Sequence, residues 1–322
     1  MWIITGATGF IGSALAWELN NHGQDDLVLV DHVPPSERPG IIAKRKYREF
    51  VRADELVKFL ERHKSEVKGI YHMGACSNTT ETNAEYLEEN NVRYSQRVFD
   101  FCTRQSVPLI YASSGACYGD GQLGFDDQTD SDIFKPLNLY GWSKVNFDKW
   151  AVKQSKTPPR WYGLRFFNVY GPNEYHKGDQ ASVVFKAFQQ ISETGKLRLF
   201  RSHNPKYADG EQLRDFIYVK DVTRWMWEIM GNEKVHSGIY NMGFGKARPW
   251  NALASVTFAS LSKPMQIDWI DIPQNIRNQY QYFTQAKVDR LLGEGLAPAN
   301  WSLEDGIFDY VSKYLQKKDP YL

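Results

Sequence analysis

Short apolar runs alternate with amphipathic stretches along the first half of the chain. Four apolar runs are typical of strands that are buried on both faces: Trp2–Thr5, Leu27–Val30, Gly69–His72 and Leu109–Ala112. Helical spacing with charged outer faces follows these runs, at about residues 10–21, 54–63, 79–104 and 139–154. A further strand near Trp161–Arg165 completes the series. This rhythm predicts an α/β fold with a parallel sheet covered by helices.

The alternation of apolar runs and amphipathic stretches ends after Phe167. Beyond it, glycine and proline interrupt the sequence, and the order of strands and helices becomes irregular. The first half predicts a Rossmann-type doubly wound parallel sheet. We therefore expect a dinucleotide-binding Rossmann domain over residues 1–166, with a return segment near 214–243. Residues 167–322 would form mainly a substrate-binding lobe, smaller and of mixed α/β structure.

Composition excludes several classes of protein. With 322 residues, of which 42% are hydrophobic and 24% charged, the chain can bury a large core and is not disordered. The net charge of +1 provides no overall field for nucleic acid. The mean hydropathy of -0.52, the lack of an 18-residue apolar stretch and the absence of a basic leader in MWIITGATGFIGS predict a cytoplasmic protein without a membrane partner.

The cysteines do not form a recognisable motif. Cys76, Cys102 and Cys117 are odd in number, have no CxxC spacing and have no clustered histidines beside them. This pattern argues against a disulfide framework and against a zinc site. We expect no metal and interpret the three residues as small buried side chains.

A glycine-rich turn joins the first strand to the first helix. Gly6, Gly9 and Gly12 have the spacing GxxGxxG, which lets the chain turn tightly, approach a pyrophosphate and pack the helix on the strand. Asp31 ends the second strand about 20 residues later, where a carboxylate can accept hydrogen bonds from an adenosine ribose. Together these features predict a dinucleotide site.

The choice between NADP and NAD stays open on these residues. Asp31 favours NAD, because a carboxylate repels a 2′-phosphate. A basic run downstream could neutralise that phosphate; it comprises His32, Arg38, Lys44, Arg45 and Lys46. We expect NADP, with NAD as the alternative.

Three side chains are suited to hydride chemistry. Tyr140 and Lys144 are four residues apart in a predicted helix and so share one helix face, where the lysine can favour the phenolate. Ser114 lies at the carboxyl end of a buried strand, the edge where open α/β sheets bind ligands. A purely dinucleotide-binding regulatory protein would need the glycine turn but not this proton-handling set.

Four segments occur in the order found in extended short-chain dehydrogenases/reductases, which the chain resembles: TGATGFIG, YASSGACYG, YGWSK and RFFNVYGP. The resemblance implies that Ser114, Tyr140 and Lys144 are catalytic. The dehydratases of this superfamily carry an Asp-Glu pair directly after the catalytic hydroxyl residue. Here Gly115 and Ala116 follow Ser114, which disfavours dehydration.

Over nearly its whole length the chain is similar to the ADP-L-glycero-D-manno-heptose 6-epimerase family, through GACSNTTETN, FNVYGPNEYHKGDQASVVF, GEQLRDFIYVKDV and YQYFTQA. The resemblance implies that Lys177 is a second acid/base. It also implies a substrate-contacting set comprising Asn168, Lys177, Asp179, Lys186, Phe200, Arg201, Ser202, His203, Arg214 and Tyr280. Arg214 would hold the diphosphate, since a guanidinium can bind phosphate oxygens in pairs.

The cofactor contacts implied by the glycine turn, the basic run and this resemblance are Gly6, Gly9, Phe10, Ile11, Gly12, Asp31, His32, Arg38, Ala75, Cys76, Ser77, Asn90 and Lys144. One segment departs from the family pattern. RSHNPKYADGEQLRDF is longer than the usual link before the arginine and lacks the usual Glu-Gly pair.

The resemblance implies an epimerase that oxidises C6″ of an ADP-heptose with a tightly bound nicotinamide cofactor and returns the hydride to the opposite face. Tyr140 or Lys177 would remove the hydroxyl proton, and the other would protonate the product. Such an enzyme serves lipopolysaccharide core heptose biosynthesis, and we expect a homo-oligomer. The alternative is an NAD(P)-dependent epimerase or reductase of a UDP- or GDP-sugar.

Overall fold

The computed structural model describes residues 1–277 and 280–322. Its strands are β1 (Trp2–Thr5), β2 (Leu27–Asp31), β3 (Glu49–Arg52), β4 (Gly69–His72), β5 (Leu109–Ser114), β6 (Trp161–Phe166), β7 (Asn168–Tyr170), β8 (Leu197–Phe200), β9 (Leu213–Tyr218), β10 (Gly238–Met242), β11 (Ala247–Pro249) and β12 (Ile267–Ile270). Within the described residues, seven of them form a parallel sheet in the order β10-β6-β5-β4-β1-β2-β3.

The helices are α1 (Phe10–Asn21), α2 (Leu56–Arg62), α3 (Ala84–Leu87), α4 (Tyr94–Gln105), α5 (Leu139–Val152), α6 (Val183–Thr194), α7 (Val219–Gly231), α8 (Trp250–Ser260), α9 (Gln274–Arg277), α10 (Asp289–Gly293) and α11 (Leu303–Tyr310). A π-helical segment, Glu88–Arg93, joins α3 to α4, and another, Val311–Leu315, follows α11. In the described part of the chain, no helix has both the length and the apolar character needed to cross a membrane.

Helices cover both faces of the sheet, as the apolar runs predicted. Alternate residues of β1 show the two sides: Ile4 packs in the core under α1 and α7, whereas Ile3 packs in the core under α2, α4 and α5. Both side chains are 0% exposed. The doubly wound Rossmann-type fold is therefore confirmed.

The strand β3 was not predicted. Its sequence, EFVR, has charged residues at both ends, and Val51 is its one buried residue. It lies at the sheet edge and pairs with β2 alone, so it needs no continuous apolar run. The helix expected over residues 79–104 begins later, at Ala84, because the Asn83 side chain accepts from the Tyr86 N–H and caps it.

The second half of the chain contributes to the large sheet and also forms two smaller sheets. β10 pairs with β6 at the edge of the main sheet, and α7 packs against α1. The remaining strands form smaller sheets, β11-β9-β7 and β12-β8, which share a core with α6, α8 and α11. The division at residue 166 stays a prediction. The smaller sheets and their helices pack at the carboxyl ends of the large sheet, where they enclose a crevice.

Candidate active site

The crevice contains two adjoining cavities. The inner cavity, of about 430 Å³, is lined by Ser114, Tyr140, Lys144 and Asn168. The glycine-loop cavity, of about 400 Å³, is lined by the three glycines of the first turn, by Asp31 with its neighbour His32, and by Arg38. Lys177 lines both cavities. Parallel sheets bind ligands at this edge, so the crevice is the candidate active site.

The first turn fits a dinucleotide pyrophosphate. Gly6 has φ +67°, and a Cβ at this position would lie 2.8 Å from the backbone nitrogen of Gly74. A Cβ at Gly12 would lie 2.1 Å from the Gly6 carbonyl oxygen, so a side chain there would drive α1 away from the turn. No side chain caps the N-terminus of α1, whose first N–H groups can therefore bind phosphate oxygens.

Asp31 lies at the far end of this cavity and is held by the backbone. Its Oδ2 accepts from the Thr8 N–H (3.0 Å) and its Oδ1 from the Val33 N–H (3.2 Å). Arg38 is fixed beside it, because its Nη1 donates to the Thr8 carbonyl oxygen (2.8 Å). Each Asp31 oxygen keeps a lone pair for a ribose hydroxyl, and Arg38 keeps further N–H groups.

Three members of the basic run lie elsewhere. Lys44 pairs with Asp319 (2.8 Å), Arg45 donates to the Leu322 carbonyl oxygen (2.8 Å), and Lys46 lies 3.5 Å from an Asp25 carboxylate oxygen. The interpretation that these three could reach a 2′-phosphate is wrong, because their side chains are turned towards the C-terminal residues and Asp25.

A cation outside the basic run, Arg52, lies close to His32. Arg52, at the end of β3, donates from Nη1 to the His32 carbonyl oxygen (3.2 Å). It could not be recognised while β3 itself was missed.

The floor of the glycine-loop cavity follows β4. Ala75, Cys76 and Ser77 line it, as does Asn90, whose Nδ2 donates to the Tyr86 carbonyl oxygen. Asn91 is a residue that sequence analysis missed. Its Oδ1 accepts from the Cys76 N–H (2.8 Å), and its Nδ2 donates to the Cys76 carbonyl oxygen (3.0 Å) and to Ser143 Oγ (2.9 Å). The π-helical segment that contains Asn91 was a signal that only the structure reveals.

The helix α5 carries Tyr140 and Lys144 one turn apart. The Asn138 side chain caps it, accepting from the Gly141 N–H (2.8 Å), and thereby fixes Tyr140 in the first turn. Lys144 Nζ donates to the Ala112 carbonyl oxygen (3.0 Å) and lies 6.0 Å from the Tyr140 ring centroid. Ser114, at the end of β5, faces the same cavity.

Burial controls the ionisation of this pair. It raises the pKa of Tyr140 to about 12, and a hydrogen bond from Ser114 offsets part of the effect. It lowers the pKa of Lys144 to about 8, with Cys117 and Asp148 opposing the change. Both residues therefore favour their neutral forms more than they would in water.

Lys177 lies on the helical turn Tyr175–Gln180, where its Nζ is 5.3 Å from the Phe10 ring centroid. Burial lowers the pKa of Lys177; Glu174 opposes the change and Lys186 adds to it. Lys186 is therefore the neighbouring cation that favours the neutral amine. A partly buried lysine with a lowered pKa can act as a proton acceptor.

The other residues predicted to contact substrate fall into separate groups. Arg214 is buried, with its guanidinium 5.1 Å from the Tyr280 ring centroid and 5.8 Å from that of Trp250. Phe200 meets Tyr280 edge to face. We call these four residues the aromatic group. It borders the inner cavity, because Trp250 lines that cavity.

Eight predicted contacts do not line either cavity in the described part of the chain. They are three members of the aromatic group, Phe200, Arg214 and Tyr280, and five others: Asp179, Lys186, Arg201, Ser202 and His203. Lys186 Nζ donates to the Asp179 carbonyl oxygen (2.6 Å). Arg201 pairs with Asp209 (3.3 Å), whose carboxylate also accepts from the Ser202 N–H, and the His203 N–H donates to the Tyr282 hydroxyl. Arg201, Ser202 and Asp209 thus bond one another within the segment that departs from the family pattern. The described residues contain no group of three His, Cys, Asp or Glu that could hold a metal ion.

The sequence model of the NAD dependent epimerase/dehydratase family matches residues 2–243, more than half of the chain. The chain belongs to this family. Two curated relatives within it match over the full length of both chains. They are the ADP-L-glycero-D-manno-heptose-6-epimerases of Nitratidesulfovibrio vulgaris strain DP4, 46% identical over 325 residues, and of Fusobacterium nucleatum, 44% identical over 333 residues.

Solved structures of epimerases and related enzymes have the same fold. The ADP-L-glycero-D-manno-heptose-6-epimerase of Helicobacter pylori is 28% identical, with a TM-score of 0.80 over 97% of this chain and 95% of that one. MoeE5 in complex with UDP-glucuronic acid and NAD is 26% identical, with a TM-score of 0.75 over 95% of this chain and 96% of that one. The likeness thus extends over nearly the whole chain in both comparisons.

Proposed function

We propose that this family member inverts C6″ of ADP-D-glycero-D-manno-heptose to give ADP-L-glycero-D-manno-heptose. The observation that carries the proposal is the full-length identity of 46% and 44% to two enzymes of that name. A candidate acid/base on each of two separate elements supports it, because Tyr140 and Lys177 both line the inner cavity. Epimerisation through an aldehyde transfers hydride at both faces of C6″, and the C6″ oxygen must lose a proton in one orientation and gain one in the other.

The glycine turn and Asp31 would hold the nicotinamide cofactor, which would supply the hydride acceptor for oxidation at C6″ and the hydride donor for reduction from the opposite face. Tyr140 or Lys177 removes the C6″ hydroxyl proton, and the other residue protonates the product oxygen. Ser114 holds that oxygen by a hydrogen bond, and Lys144 supplies positive charge beside Tyr140. The partly enclosed inner cavity limits the access of water to the reacting carbon.

The aromatic group and Asn168 would bind the rest of the substrate. Arg214 is held between two rings, and its Nη1 donates to the Leu213 carbonyl oxygen (2.9 Å). Its position beside the inner cavity suits a diphosphate, which a guanidinium binds through paired hydrogen bonds. The rings of Tyr280 and Phe200 can stack on a nucleobase.

For the cofactor we propose NADP rather than NAD. Arg38 supports this choice, since it lines the same cavity as Asp31 and can offset the charge of that carboxylate near a 2′-phosphate. Arg52 adds positive charge at the neighbouring His32 carbonyl oxygen. Binding of each cofactor is measured by fluorescence titration. Arg38→Ala should weaken NADP binding at least about tenfold more than NAD binding; equal losses would favour NAD.

We further propose a cytoplasmic homo-oligomer that serves lipopolysaccharide core heptose biosynthesis, with no nucleic acid or membrane partner. A second candidate activity is epimerisation of a UDP-sugar, which the fold and cofactor of MoeE5 with UDP-glucuronic acid and NAD favour.

One incubation separates these candidates. The purified protein is mixed with ADP-D-glycero-D-manno-heptose without added cofactor, and the C6″ epimers are resolved by NMR. We expect the L-glycero product, formed with cofactor that the protein retained during purification. Failure on this substrate with NADP and NAD added, together with turnover of a UDP-sugar, would select the second candidate.

A further inference from the structure

A fully buried ion pair joins α5, the helix that carries the catalytic pair, to β6. Asp148 and Arg165 are both 0% exposed, and Arg165 Nε–H donates to Asp148 Oδ2 (2.9 Å). Asp148 follows Lys144 by four residues, so it lies one turn farther along the face of α5 that presents Tyr140 and Lys144. Neither Asp148 nor Arg165 lines the inner cavity or the glycine-loop cavity. Asp148 can therefore affect the reaction only through its neighbours.

Two further donors to Asp148 come from β5. The Tyr111 hydroxyl donates to Oδ1 (3.1 Å), and Ser113 Oγ donates to Oδ2 (2.9 Å). These residues alternate along the strand and so share one of its faces. The residue between them, Ala112, accepts from Lys144 through its carbonyl oxygen (3.0 Å). One carboxylate thus ties α5 to β5 immediately before Ser114.

Stability alone does not explain why these two buried positions hold charged residues. A buried ion pair often contributes no more to stability than well-packed apolar residues of the same volume. Arg165 lies 4.8 Å from the Tyr118 ring centroid and 5.2 Å from that of Phe134, so an apolar side chain would pack between the same rings. An apolar pair could not supply hydrogen-bond acceptors to β5 or a negative charge below Lys144.

We propose that Asp148 is a positioning residue for epimerisation, which holds Ser114 in register with α5 and places a fixed negative charge beneath the Lys144 ammonium. The inference deepens the proposed function and rests on it, since that function gives Ser114 and Lys144 their roles.

The charge around Lys144 comes from several elements. Asp148 faces it from its own helix, Cys117 from the turn after β5, Cys76 from the segment after β4, and His72 from β4. Burial, with a contribution from Lys144, lowers the pKa of His72 to about 3, and burial raises the pKa of Cys117 to about 11. His72 and Cys117 are thus neutral near pH 7, which leaves Asp148, paired with Arg165, as the carboxylate of this set.

The Lys144 titration tests the charge. Removal of the Asp148 carboxylate should lower the pKa of Lys144 below its value of about 8, because burial would then be opposed less. Lys144 is followed by NMR of ¹³C-labelled lysines, with its signal assigned by Lys144→Met. In Asp148→Asn we expect the titration to move down by about one pH unit, and Asp148→Glu to restore it. An unchanged Lys144 titration in Asp148→Asn would overturn the charge role.

A matched control is Asp309→Asn. Asp309 is also a buried carboxylate, 2% exposed, and pairs with Lys220 (2.6 Å) and Lys313 (2.8 Å) in a separate cluster around α11. This change should lower stability but leave the Lys144 titration and the pH profile of kcat unchanged.

The positioning role is tested by variants that keep the charge. Ser113→Ala and Tyr111→Phe each remove one hydrogen bond to Asp148, and they remain informative if Asp148→Asn fails to fold. We expect each to lower kcat by about 3- to 10-fold, with KM nearly constant and the Lys144 titration in place. Wild-type kcat in both variants would overturn positioning. Loss of the wild-type reaction on ADP-heptose would instead overturn the proposed function, while the lysine titration, which needs no substrate, would still decide the charge role.

Discussion

Tyr140 and Lys177 approach the inner cavity from different elements, one from the first turn of α5 and the other from the turn before α6. Burial raises the pKa of Tyr140 to about 12 and lowers that of Lys177. The phenol is therefore suited to hold a proton and the amine to accept one. The sequence identified both residues, but only the structure shows how burial changes each.

Replacing either residue should stop interconversion. We expect Tyr140→Phe and Lys177→Met each to lower kcat at least about 100-fold, because each removes a side chain that exchanges a proton with the C6″ oxygen. Cofactor binding, measured by fluorescence titration, should change by less than about threefold. Lys196→Met, at an exposed lysine just before β8, is the control and should retain wild-type kcat. Normal turnover in either test variant would remove that residue from the mechanism.

His72 gives the protein a specific sensitivity to acid. It is 2% exposed, and its ring nitrogens bond Thr5 Oγ1 (2.7 Å) and Ser95 Oγ (3.0 Å). Burial lowers its folded-state pKa to about 3, against 6.5 for an ordinary histidine. The unfolded chain therefore binds a proton below pH 6.5 that the folded chain does not, and stability is lost as the pH falls through this range.

At pH 5 the predicted loss from His72 is about 2 kcal/mol of unfolding free energy. Urea unfolding at pH 7.5 and pH 5.0 measures it. In His72→Asn the protein should be less stable at pH 7.5, but the difference between the two pH values should shrink by about 2 kcal/mol. The same difference in both proteins would show that His72 is protonated at little cost in the folded state.

Elements that are buried on both faces were predictable, and those that are not were less so. Leu27–Asp31 and Gly69–His72 are continuous apolar runs because they lie inside the sheet, whereas Glu49–Arg52 lies at its edge and has no such pattern. The Gly turn and the Tyr140–Lys144 spacing are local and could be inferred from neighbouring residues. The contacts of Asn91 and Arg52 depend on residues far along the chain, so sequence spacing could not reveal them.

The turn that carries Lys177 depends on one buried carboxylate. Glu174 Oε1 accepts from Ser182 Oγ (2.7 Å) and from the Gly171 N–H (3.2 Å), and Oε2 accepts from the Ser182 N–H (2.5 Å). Glu174 is 0% exposed. It therefore closes the segment between β7 and α6 at both ends and fixes where Lys177 lies.

Glu174→Gln should displace this turn. An amide places N–H groups where the carboxylate accepted hydrogen bonds, which costs about 1 to 3 kcal/mol of unfolding free energy. We expect kcat to fall at least about tenfold in the fraction that remains folded, as measured by activity and urea unfolding together. Glu193→Gln, at an exposed position of α6, is the matched control and should change neither quantity. A destabilised Glu174→Gln protein with full kcat would show that the turn does not set the Lys177 position.

At the scale of the whole molecule, one hydrophobic core joins distant parts of the chain. Ile4 of β1 and Leu15 of α1 pack in the same cluster as Trp225 of α7, Met242 of β10 and Leu291 of α10. The large sheet is thus completed by residues from the second half. We expect the molecule to unfold in one transition, since neither half holds a complete core.

Cofactor binding should therefore stabilise the entire molecule. At a cofactor concentration 100 times the Kd, the gain is about 2.7 kcal/mol, which for a chain of this size raises Tm by about 5 °C. Calorimetry with and without the preferred cofactor checks this shift. Two separate transitions, of which only one moved with cofactor, would show that the two units unfold independently.

The turn that carries Lys177 forms part of the wall of both cavities, and Asn173 Nδ2 anchors it to Ser13 Oγ on α1 (3.0 Å). An outward movement of this turn that let a dinucleotide exchange with solvent would also withdraw the lysine from the reacting carbon. During cofactor exchange, the enzyme could not complete a catalytic cycle. Cofactor exchange and catalysis would then exclude each other in time. A reduced cofactor could not leave before it had returned its hydride to the substrate.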